Sequence, residues 1–343
     1  MPINIFGLMP DQIKERLQGK FPDYRYRQLC DWLYQKLESN PDQMTNLPKD
    51  MITFLKEEFS FALPEIDLAE QADDGTTKYC LKLEDGAMVE MVLIPAENKR
   101  TLCVSSQVGC SRACSFCATG TMGLIRNLKT SEIVGQIILA SSLCAPIRLT
   151  NLVFMGMGEP MDNLNDVLES LLIIQAEQGI AFSPRRTTVS TCGIPDGIRK
   201  LADSGIKTKL AVSLNAAIDE KRNTLMPVNK RYPLLELKQA LFYYLSRSKF
   251  RVTFEYILIP DVNMGREDIK ALRRFAGDLS CKINFIPYNA VAQLPYRSPT
   301  EIEIEAFLKE AASLNQAITL RRSRGTQVCG ACGQLAASQG DKK

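Results

Sequence analysis

The sequence predicts an α/β protein built around an incomplete (βα)6 barrel, with a small helical domain before it and a short β extension between the two. Apolar, strand-like segments alternate with amphipathic, helix-like stretches over most of the chain after residue 100. Such alternation is typical of parallel strands joined by helices. Roughly six repeats can be counted, fewer than the eight of a closed barrel, so we expect the barrel to be incomplete.

The individual elements follow from local pattern. Buried parallel strands are expected at residues 101–105, 149–155, 187–190, 209–214, 252–259 and 283–287. Amphipathic helices are expected near residues 130–142, 162–178, 195–204, 234–248, 266–278 and 300–314. Residues 76–83 and 87–94 flank the turn Asp85-Gly86, which predicts a hairpin. Apolar residues at helical spacing between Leu29 and Leu37 predict an early helix, and a second one is expected at residues 51–59.

These patterns divide the chain into four predicted parts. Residues 1–65 form a helical accessory domain, and residues 66–98 form a β-hairpin extension. Residues 99–335 form the partial barrel with a carboxyl-terminal loop. Residues 336–343 are polar and lack any periodic pattern, which predicts a disordered tail.

The composition indicates a soluble globular protein. Of the 343 residues, 45% are hydrophobic and 24% are charged, which is ordinary for such proteins. No apolar run reaches the roughly 18 residues of a membrane span, and the first residues lack a secretory pattern. We therefore expect a cytoplasmic location. The net charge of +3 does not by itself indicate nucleic acid, but short basic clusters such as Arg321-Arg322-Ser323-Arg324 suit either phosphate contact or ordinary solvation.

The chain has no histidine and 11 cysteines. The lack of histidine excludes His-based acid/base catalysis and every Ser-His or Cys-His nucleophile. In a chain without an export signal, many cysteines indicate a reducing compartment and metal or thiol chemistry instead of a disulfide framework. Cys30, Cys80, Cys144 and Cys281 are interpreted as packing residues.

Three cysteines form a Cys-x3-Cys-x2-Cys triplet, Cys110, Cys114 and Cys117, directly after a strand-like segment. A structural zinc site is closed by four ligands, and a cubane iron–sulfur cluster normally takes four thiolates. Three thiols without a fourth therefore predict a cluster with one iron open to a ligand. The alternative is a chance group of buried or zinc-binding cysteines.

Small polar residues follow several of the predicted strands. Gly156 and Gly158 allow close approach of a ligand to the backbone, and the adjoining Glu159 can accept hydrogen bonds from an ammonium group. The other strand ends carry Ser190, Ser213, Leu214, Asn215 and Asn289. Because functional residues of such barrels lie at the carboxyl ends of the strands, we expect this series to line one ligand site.

Two further cysteines stand out by position. Cys103 lies on the strand that leads into the triplet, and Cys332 lies between glycines in Gly330-Ala331-Cys332-Gly333 near the carboxyl terminus. Flanking glycines predict a mobile loop around Cys332. The alternative is that both are unreactive core thiols.

The triplet with Cys103 upstream, the segment Met155–Pro160 and the ending Ala331-Cys332-Gly333-Gln334-Leu335 together resemble the radical-SAM RNA adenine methyltransferases, the RlmN/Cfr family. The similarity covers nearly the whole chain, including the helical amino-terminal domain, to which it assigns RNA binding. It implies a [4Fe–4S] cluster on the triplet, whose open iron binds S-adenosylmethionine (SAM). The positions that match SAM contacts are Gly158, Glu159, Ser190, Ser213, Leu214, Asn215 and Asn289.

The resemblance also implies a mechanism. One SAM methylates the Cys332 thiolate, and a second yields a 5′-deoxyadenosyl radical that removes hydrogen from the S-methyl group. The methylene radical adds to the electron-poor C2 of adenine, and Glu90 takes the ring proton from the adduct. Cys103 then attacks the Cys332 sulfur, which releases methylated RNA and leaves a Cys103–Cys332 disulfide that thiol exchange must reduce.

Two positions depart from the family pattern. Asn215 stands where the family usually has His, so we expect SAM binding to persist while any protonation role is lost. Cys329 is an additional cysteine three residues before Cys332, and it either diverts the resolving disulfide or is a bystander. The bystander interpretation is preferred.

The resemblance predicts methylation of C2 of an adenosine in large-subunit ribosomal RNA, with transfer RNA as a second candidate. The expected partners are that RNA and a flavodoxin- or ferredoxin-like electron donor, with no membrane and a monomeric state. The nearest alternative is the sister activity at C8 of the same base. A non-catalytic iron–sulfur RNA-binding protein and a radical-SAM enzyme for a small metabolite are less favoured.

Overall fold

A computed structural model of the protein describes residues 2–336. The helices are α1 (Pro10–Leu17), α2 (Asp23–Cys30), α3 (Lys49–Glu58), α4 (Ala118–Thr121), α5 (Thr130–Cys144), α6 (Leu164–Gln175), α7 (Pro195–Asp203), α8 (Asp219–Leu225), α9 (Val228–Arg231), α10 (Leu234–Arg247), α11 (Arg266–Ala276) and α12 (Glu301–Ala311). The strands are β1 (Ile3–Asn4), β2 (Phe59–Ser60), β3 (Glu65–Gln71), β4 (Thr77–Lys82), β5 (Met88–Ala96), β6 (Lys99–Cys103), β7 (Gln107–Cys110), β8 (Gly123–Asn127), β9 (Asn151–Phe154), β10 (Thr187–Thr191), β11 (Lys209–Ser213), β12 (Val252–Leu258), β13 (Cys281–Pro287) and β14 (Ala317–Leu320).

One ten-stranded sheet forms the body of the protein, in the order β14-β13-β12-β11-β10-β9-β6-β5-β4-β3. In this sheet β6 and β9 to β14 pair in parallel, whereas β3, β4, β5 and β6 pair antiparallel. Because β3 and β14 are the two edges, the sheet is an open barrel wall extended by a β meander. The predicted fold class is therefore confirmed, and the six predicted barrel strands correspond to β6 and β9 to β13.

Within this sheet, the two edge strands, β3 and β14, are the ones that the sequence pattern did not predict. The residues of β3 are almost all exposed, and those of β14 alternate between exposed and half-buried. Neither strand has the run of buried β-branched residues that marks a central parallel strand. Pairing with β4 and β13 holds them extended, which is a tertiary effect.

Helices α5, α6, α7, α10, α11 and α12 correspond to the predicted amphipathic stretches. In α11, the buried residues Ile269, Leu272 and Phe275 recur every three positions and face the sheet. Gly265 caps the helix, and its amide N–H donates to Asp268 Oδ2 at 3.0 Å. Strand β12 contributes Tyr256 to the same core. The short helices α8 and α9 were not predicted, and they lie in the connection between β11 and β12.

The amino-terminal residues form a small helical unit closed by a parallel β1–β2 pair. Its core contains Phe6, Leu29, Met51 and Leu55, which are completely buried. The unit contacts the barrel through a hydrogen bond of 2.9 Å from Gln35 Nε2 to the Gly179 carbonyl.

Within residues 2–336, no helix is both long and apolar enough to cross a membrane. Of the predicted tail at residues 336–343, only Ala336 belongs to the described residues.

Candidate active site

The carboxyl ends of the barrel strands open into one cavity, called here the cluster cavity. Its empty space is about 940 Å³, part of which is open to solvent. Nine of the predicted site residues line it: Cys110, Cys114, Cys117, Gly158, Glu159, Ser190, Ser213, Asn215 and Cys332. The structure thus brings together residues that are separated by more than 200 positions in the chain.

Cys110 is the last residue of β7, which pairs with β8 as a hairpin, and Cys114 and Cys117 lie on the loop that follows. The loop is tightened by a hydrogen bond of 3.1 Å from the Cys117 amide to the Cys114 carbonyl. Burial raises the pKa of the Cys110 thiol to about 12, and coordination to iron would favour its thiolate form.

The three thiols of the triplet line one cavity. A cubane cluster takes one ligand on each iron, so three protein thiolates leave one iron open. The donor set of Cys110, Cys114 and Cys117 around one cavity fits a [4Fe–4S] cluster with one open iron.

Glu159 follows β9 and is buried in the cavity wall. Its two carboxylate oxygens accept backbone hydrogen bonds from Met161 at 3.0 Å and from Cys192 at 2.7 Å. Burial raises the pKa of this carboxyl, and the backbone donors oppose that shift. Gly158 has φ +101°, and a Cβ there would lie 2.7 Å from the Gln107 amide nitrogen, so only glycine brings the chain this close.

Asn215 lines the cavity, but its side chain is already engaged. The Asn215 Oδ1 atom accepts from the Ile257 amide at 3.0 Å, and Nδ2 contacts Met226 Sδ at 3.4 Å. The neighbouring Leu214 is fully buried and does not line the cavity. The backbone of Leu214 is engaged as well, because its amide donates to the Glu255 carbonyl at 2.9 Å. The predicted SAM contacts of both residues stay predictions.

Arg222 on α8 is a structural part of the site that sequence reasoning missed. This arginine is completely buried, and its guanidinium donates to the carbonyls of Cys192 at 2.6 Å, Leu214 at 3.1 Å and Ser213 at 3.3 Å. It therefore ties together the carboxyl ends of β10 and β11. Its neighbours in the sequence are charged, as on a surface helix, so no local signal could have found it.

Cys103 and Cys332 meet in a second cavity, called here the thiol cavity, which Arg321, Arg322 and Arg324 also line. Cys103 ends β6 and is buried, and burial raises its pKa to about 12. Cys332 lines both cavities, and Cys103 lines only the thiol cavity.

Asn289 holds the carboxyl-terminal loop instead of lining the cluster cavity. Its Nδ2 atom donates to the Cys332 carbonyl at 3.3 Å and to Ser323 Oγ at 2.8 Å. The same loop is held by hydrogen bonds from the Ala118 amide to the Gly333 carbonyl, 2.8 Å, and from Thr119 Oγ1 to the Leu335 carbonyl, 2.6 Å.

Glu90 on β5 is buried beside the end of this loop. Its Oε1 lies 3.2 Å from Lys78 Nζ, and its Oε2 accepts the Ala336 amide at 2.9 Å. Burial raises the pKa of Glu90, and the Lys78 ammonium opposes that shift. Lys78, which also pairs with Glu70 at 3.1 Å, is a second residue that the sequence did not single out.

Cys329 is exposed and does not line the thiol cavity. Its φ of +49° places it in the left-handed region. Of the cysteines interpreted as packing residues, Cys30, Cys80 and Cys281 are buried and Cys144 is half-buried.

A parallel open barrel with a three-cysteine loop beside the carboxyl ends of its strands defines a radical-SAM enzyme. A family model described as "Radical SAM superfamily" matches residues 104–276. A second, described as "Ribosomal RNA large subunit methyltransferase N-terminal domain", matches residues 3–60. The chain belongs to the RlmN family of radical-SAM RNA methyltransferases, and its cofactors are a [4Fe–4S] cluster and SAM. The family expected from the sequence is confirmed.

The similarity extends over whole chains. A "Probable dual-specificity RNA methyltransferase RlmN" of Dictyoglomus turgidum is 42% identical over 337 residues, 97% of each chain. A "Dual-specificity RNA methyltransferase RlmN" of Oleidesulfovibrio alaskensis is 42% identical over 347 residues, covering 98% of this chain and 97% of its own. The crystal structure of a radical SAM methyltransferase from Sphaerobacter thermophilus matches with a TM-score of 0.94 and 39% identity, covering 98% of this chain and 100% of that one.

Proposed function

We propose that this enzyme methylates C2 of an adenosine in large-subunit ribosomal RNA, and that transfer RNA is a second substrate. The observation that carries the proposal is the position of Cys332 between the cluster cavity and the thiol cavity. The similar proteins are named dual-specificity RNA methyltransferases, which supports two kinds of RNA, ribosomal and transfer RNA, as substrates.

Cys332 is proposed to carry the methyl group as an S-methyl thioether. When bound, the cluster and SAM supply the methyl group and the one-electron chemistry needed to attach carbon to an electron-poor ring position. A sulfur at the edge of the cluster cavity can receive that carbon and present it to a base entering from the other side.

Cys103 is proposed to release the product. In the RNA–enzyme adduct, one carbon links Cys332 sulfur to adenine C2. Attack of the Cys103 thiolate on that sulfur forms the Cys103–Cys332 disulfide and breaks the sulfur–carbon bond, whose electron pair stays with carbon and takes up a proton. A dithiol reductant then restores both thiols. The shared cavity supports this pairing, because it places both side chains against one space.

Glu90 is proposed to take the proton from adenine C2. The Lys78 ammonium stabilises its carboxylate, which is the form that a base requires. The Ala336 amide, which donates to Oε2, ties Glu90 to the carboxyl-terminal loop that carries Cys332.

The remaining partners are proposals with smaller support. The helical unit is proposed to bind RNA, because residues 3–60 match the amino-terminal domain of ribosomal RNA large subunit methyltransferases. A flavodoxin- or ferredoxin-like donor would reach the cluster near the β7–β8 hairpin, where Ile125 is 68% exposed. A monomer is proposed because both cavities are formed by one chain, and the cytoplasm because free thiols and RNA are found there.

The second candidate is methylation at C8 of the same base. It would use the same cysteines, and product analysis separates the two.

The test is anaerobic incubation of the reconstituted enzyme with SAM, a reductant and a ribosomal RNA fragment, followed by mass spectrometry of the nucleosides. We expect 2-methyladenosine from the unaltered enzyme and none from Cys332→Ala. A product of 8-methyladenosine would establish the second candidate. Equal methylation by Cys332→Ala would refute the proposed carrier.

A further inference from the structure

Glu255 on β12 has no role in the proposed chemistry, yet it lines the cluster cavity and is only 6% exposed. Its Oε1 accepts a hydrogen bond of 3.0 Å from Asn284 Nδ2 on β13. Its Oε2 is buried and has no hydrogen-bond partner among residues 2–336. A buried carboxylate oxygen without a donor is costly, so its presence in a residue that lines the cavity points to a missing ligand.

Arg321 lines the same cavity and would be the obvious partner of Glu255. No ion pair of 4.0 Å or less joins the two side chains in the part of the chain that the structure describes. Within the same residues, the side-chain hydrogen bond of Arg321 is a long one, 4.0 Å to Met155 Sδ. Burial raises the pKa of Glu255, and the Arg321 charge opposes that shift, so the two groups interact across space.

The walls near Glu255 are those of a nucleoside site. Ile257 lies two residues further along β12, on the same face, and pairs in register with Ile286 of β13. Both isoleucines line the cavity and offer apolar surface to a planar base. Ser213, the register partner of Glu255 on β11, adds a hydroxyl at the same level.

We propose that Glu255 Oε2 accepts a hydrogen bond from an adenosine held in the cluster cavity, through a ribose hydroxyl or the exocyclic amine. The inference rests on the proposed function, which supplies two adenosines to this cavity: that of SAM and that of the target RNA. The shared chemistry is an O–H or N–H donor on a nucleoside, and Arg321 stays free to balance the charge of Glu255 across the ligand.

The test compares ligand binding by the unaltered enzyme and Glu255→Gln, both with the cluster reconstituted and without reductant. Glutamine keeps one acceptor oxygen, which can serve Asn284 or the ligand but not both. SAM affinity is measured by calorimetry. RNA recognition is measured with two versions of a fragment that the enzyme methylates, one with adenosine and one with purine riboside, which lacks the exocyclic amine, at the target position.

A loss of about tenfold or more in SAM affinity would support the inference and assign the donor to SAM. Unchanged SAM affinity with lost preference for adenosine over purine riboside would support it and assign the donor to the RNA. If neither changes, the inference is overturned. If the unaltered enzyme binds neither ligand, the proposed function fails first and the inference with it.

Asp268→Asn is the matched control, because Asp268 is also a buried carboxylate but is paired with Lys221 at 2.7 Å and lies outside the cavity. We expect it to leave both affinities unchanged. Thermal unfolding shows whether Glu255→Gln folds, and Glu255→Asp, which keeps the charge but shortens the reach, provides a second variant with an intermediate loss.

Discussion

The two sides of the active site are built in different ways. On the barrel side, the cavity wall consists of strand ends such as Glu159, whose position is fixed by paired strands and by the buried Arg222. On the other side, the carboxyl-terminal loop, residues 325–336, has one 3-10 turn and no strand. Single hydrogen bonds from distant parts of the chain hold it, as from Asn289 to the Cys332 carbonyl.

This difference in construction fits the function proposed for each side of the site. The barrel side has to hold a cluster and SAM in fixed positions, so it is rigid and close-packed. Cys332 has to serve the cluster cavity, the RNA base and Cys103 in turn. A loop held by a few separate hydrogen bonds can move between such positions without unfolding the barrel. Substitutions that strain the barrel side should therefore lower the melting temperature and the SAM affinity. Substitutions that strain the loop should lower methylation and leave both of these quantities nearly constant.

The largest effect on stability and SAM binding is expected from Gly158→Ala on the barrel side. The added Cβ would lie 2.6–2.8 Å from Gln107, at a φ of +101°. Backbone strain of this kind costs about 1–3 kcal/mol, and the overlap adds to it. We expect a melting temperature lower by several degrees and a SAM affinity reduced at least about tenfold, a factor equal to about 1.4 kcal/mol.

The matching loop variant is Gly333→Ala, at a φ of +83°, where the nearest atom to a Cβ is the Phe116 carbonyl oxygen at 3.3 Å. Here the strain can be relieved by local opening of the loop, so methylation should fall while the melting temperature and SAM affinity stay nearly constant. A melting temperature lowered as much as by Gly158→Ala would contradict the idea of a separately held loop.

The next effect concerns Glu90, which joins the two sides through the Ala336 amide. Replacing the proposed base by Gln should lower product release by about 10²–10⁴-fold and leave the RNA adduct to accumulate. Denaturing gels of enzyme and labelled RNA would show that adduct. Rapid release without accumulation would remove Glu90 from the mechanism.

The pH dependence of release tests the environment of Glu90. The groups that face it are Lys78, Glu70 and Cys80, and burial raises its pKa above the ordinary value for Glu. Because the carboxylate is the active form, release should fall as pH drops through that raised pKa. Because the Lys78 ammonium lowers the pKa of Glu90, Lys78→Met should raise that pKa. The acid limb of the pH profile of product release should then move to higher pH. Lys82→Met, an exposed lysine on the same strand, is the control and should leave the limb in place.

Sequence patterns located the barrel side well, since each central strand is a buried apolar run and each functional residue follows such a run. They did not reveal what holds these residues. The burial of Arg222 and the pairing of Lys78 with Glu90 arise from contacts between elements distant in the chain. The same is true of the burial of Glu255, one of whose oxygens has no hydrogen-bond partner among residues 2–336. The loop side was predicted only through its resemblance to a family, because a segment without periodic pattern gives no local signal of its position.

A smaller effect is expected from Asn289→Ala, a residue for which two roles are distinguishable. The sequence predicts a SAM contact, whereas its hydrogen bonds in the structure hold Ser323 and the Cys332 carbonyl. A loop role predicts methylation lowered about three- to tenfold, the equivalent of one hydrogen bond, with unchanged SAM affinity. Ser213→Ala, on the barrel side, should instead weaken SAM binding. Weaker SAM binding by Asn289→Ala would favour the direct contact.

The smallest effect is expected at Cys329, the additional cysteine of the loop. Its side chain is exposed and lies outside the thiol cavity, so the disulfide proposed for turnover can form between Cys103 and Cys332 without it. Cys329→Ser should therefore change multiple-turnover methylation by less than about twofold, which is within the small range of surface substitutions. Peptide mapping after one turnover should find Cys103 linked to Cys332 in both proteins. A Cys329–Cys332 disulfide in the unaltered enzyme, together with slower turnover of the variant, would contradict this expectation. It would show that thiol–disulfide exchange moves the disulfide to the exposed Cys329, where a reductant can reach it. The loop would then contribute a second reactive cysteine to turnover, in addition to the methyl carrier Cys332.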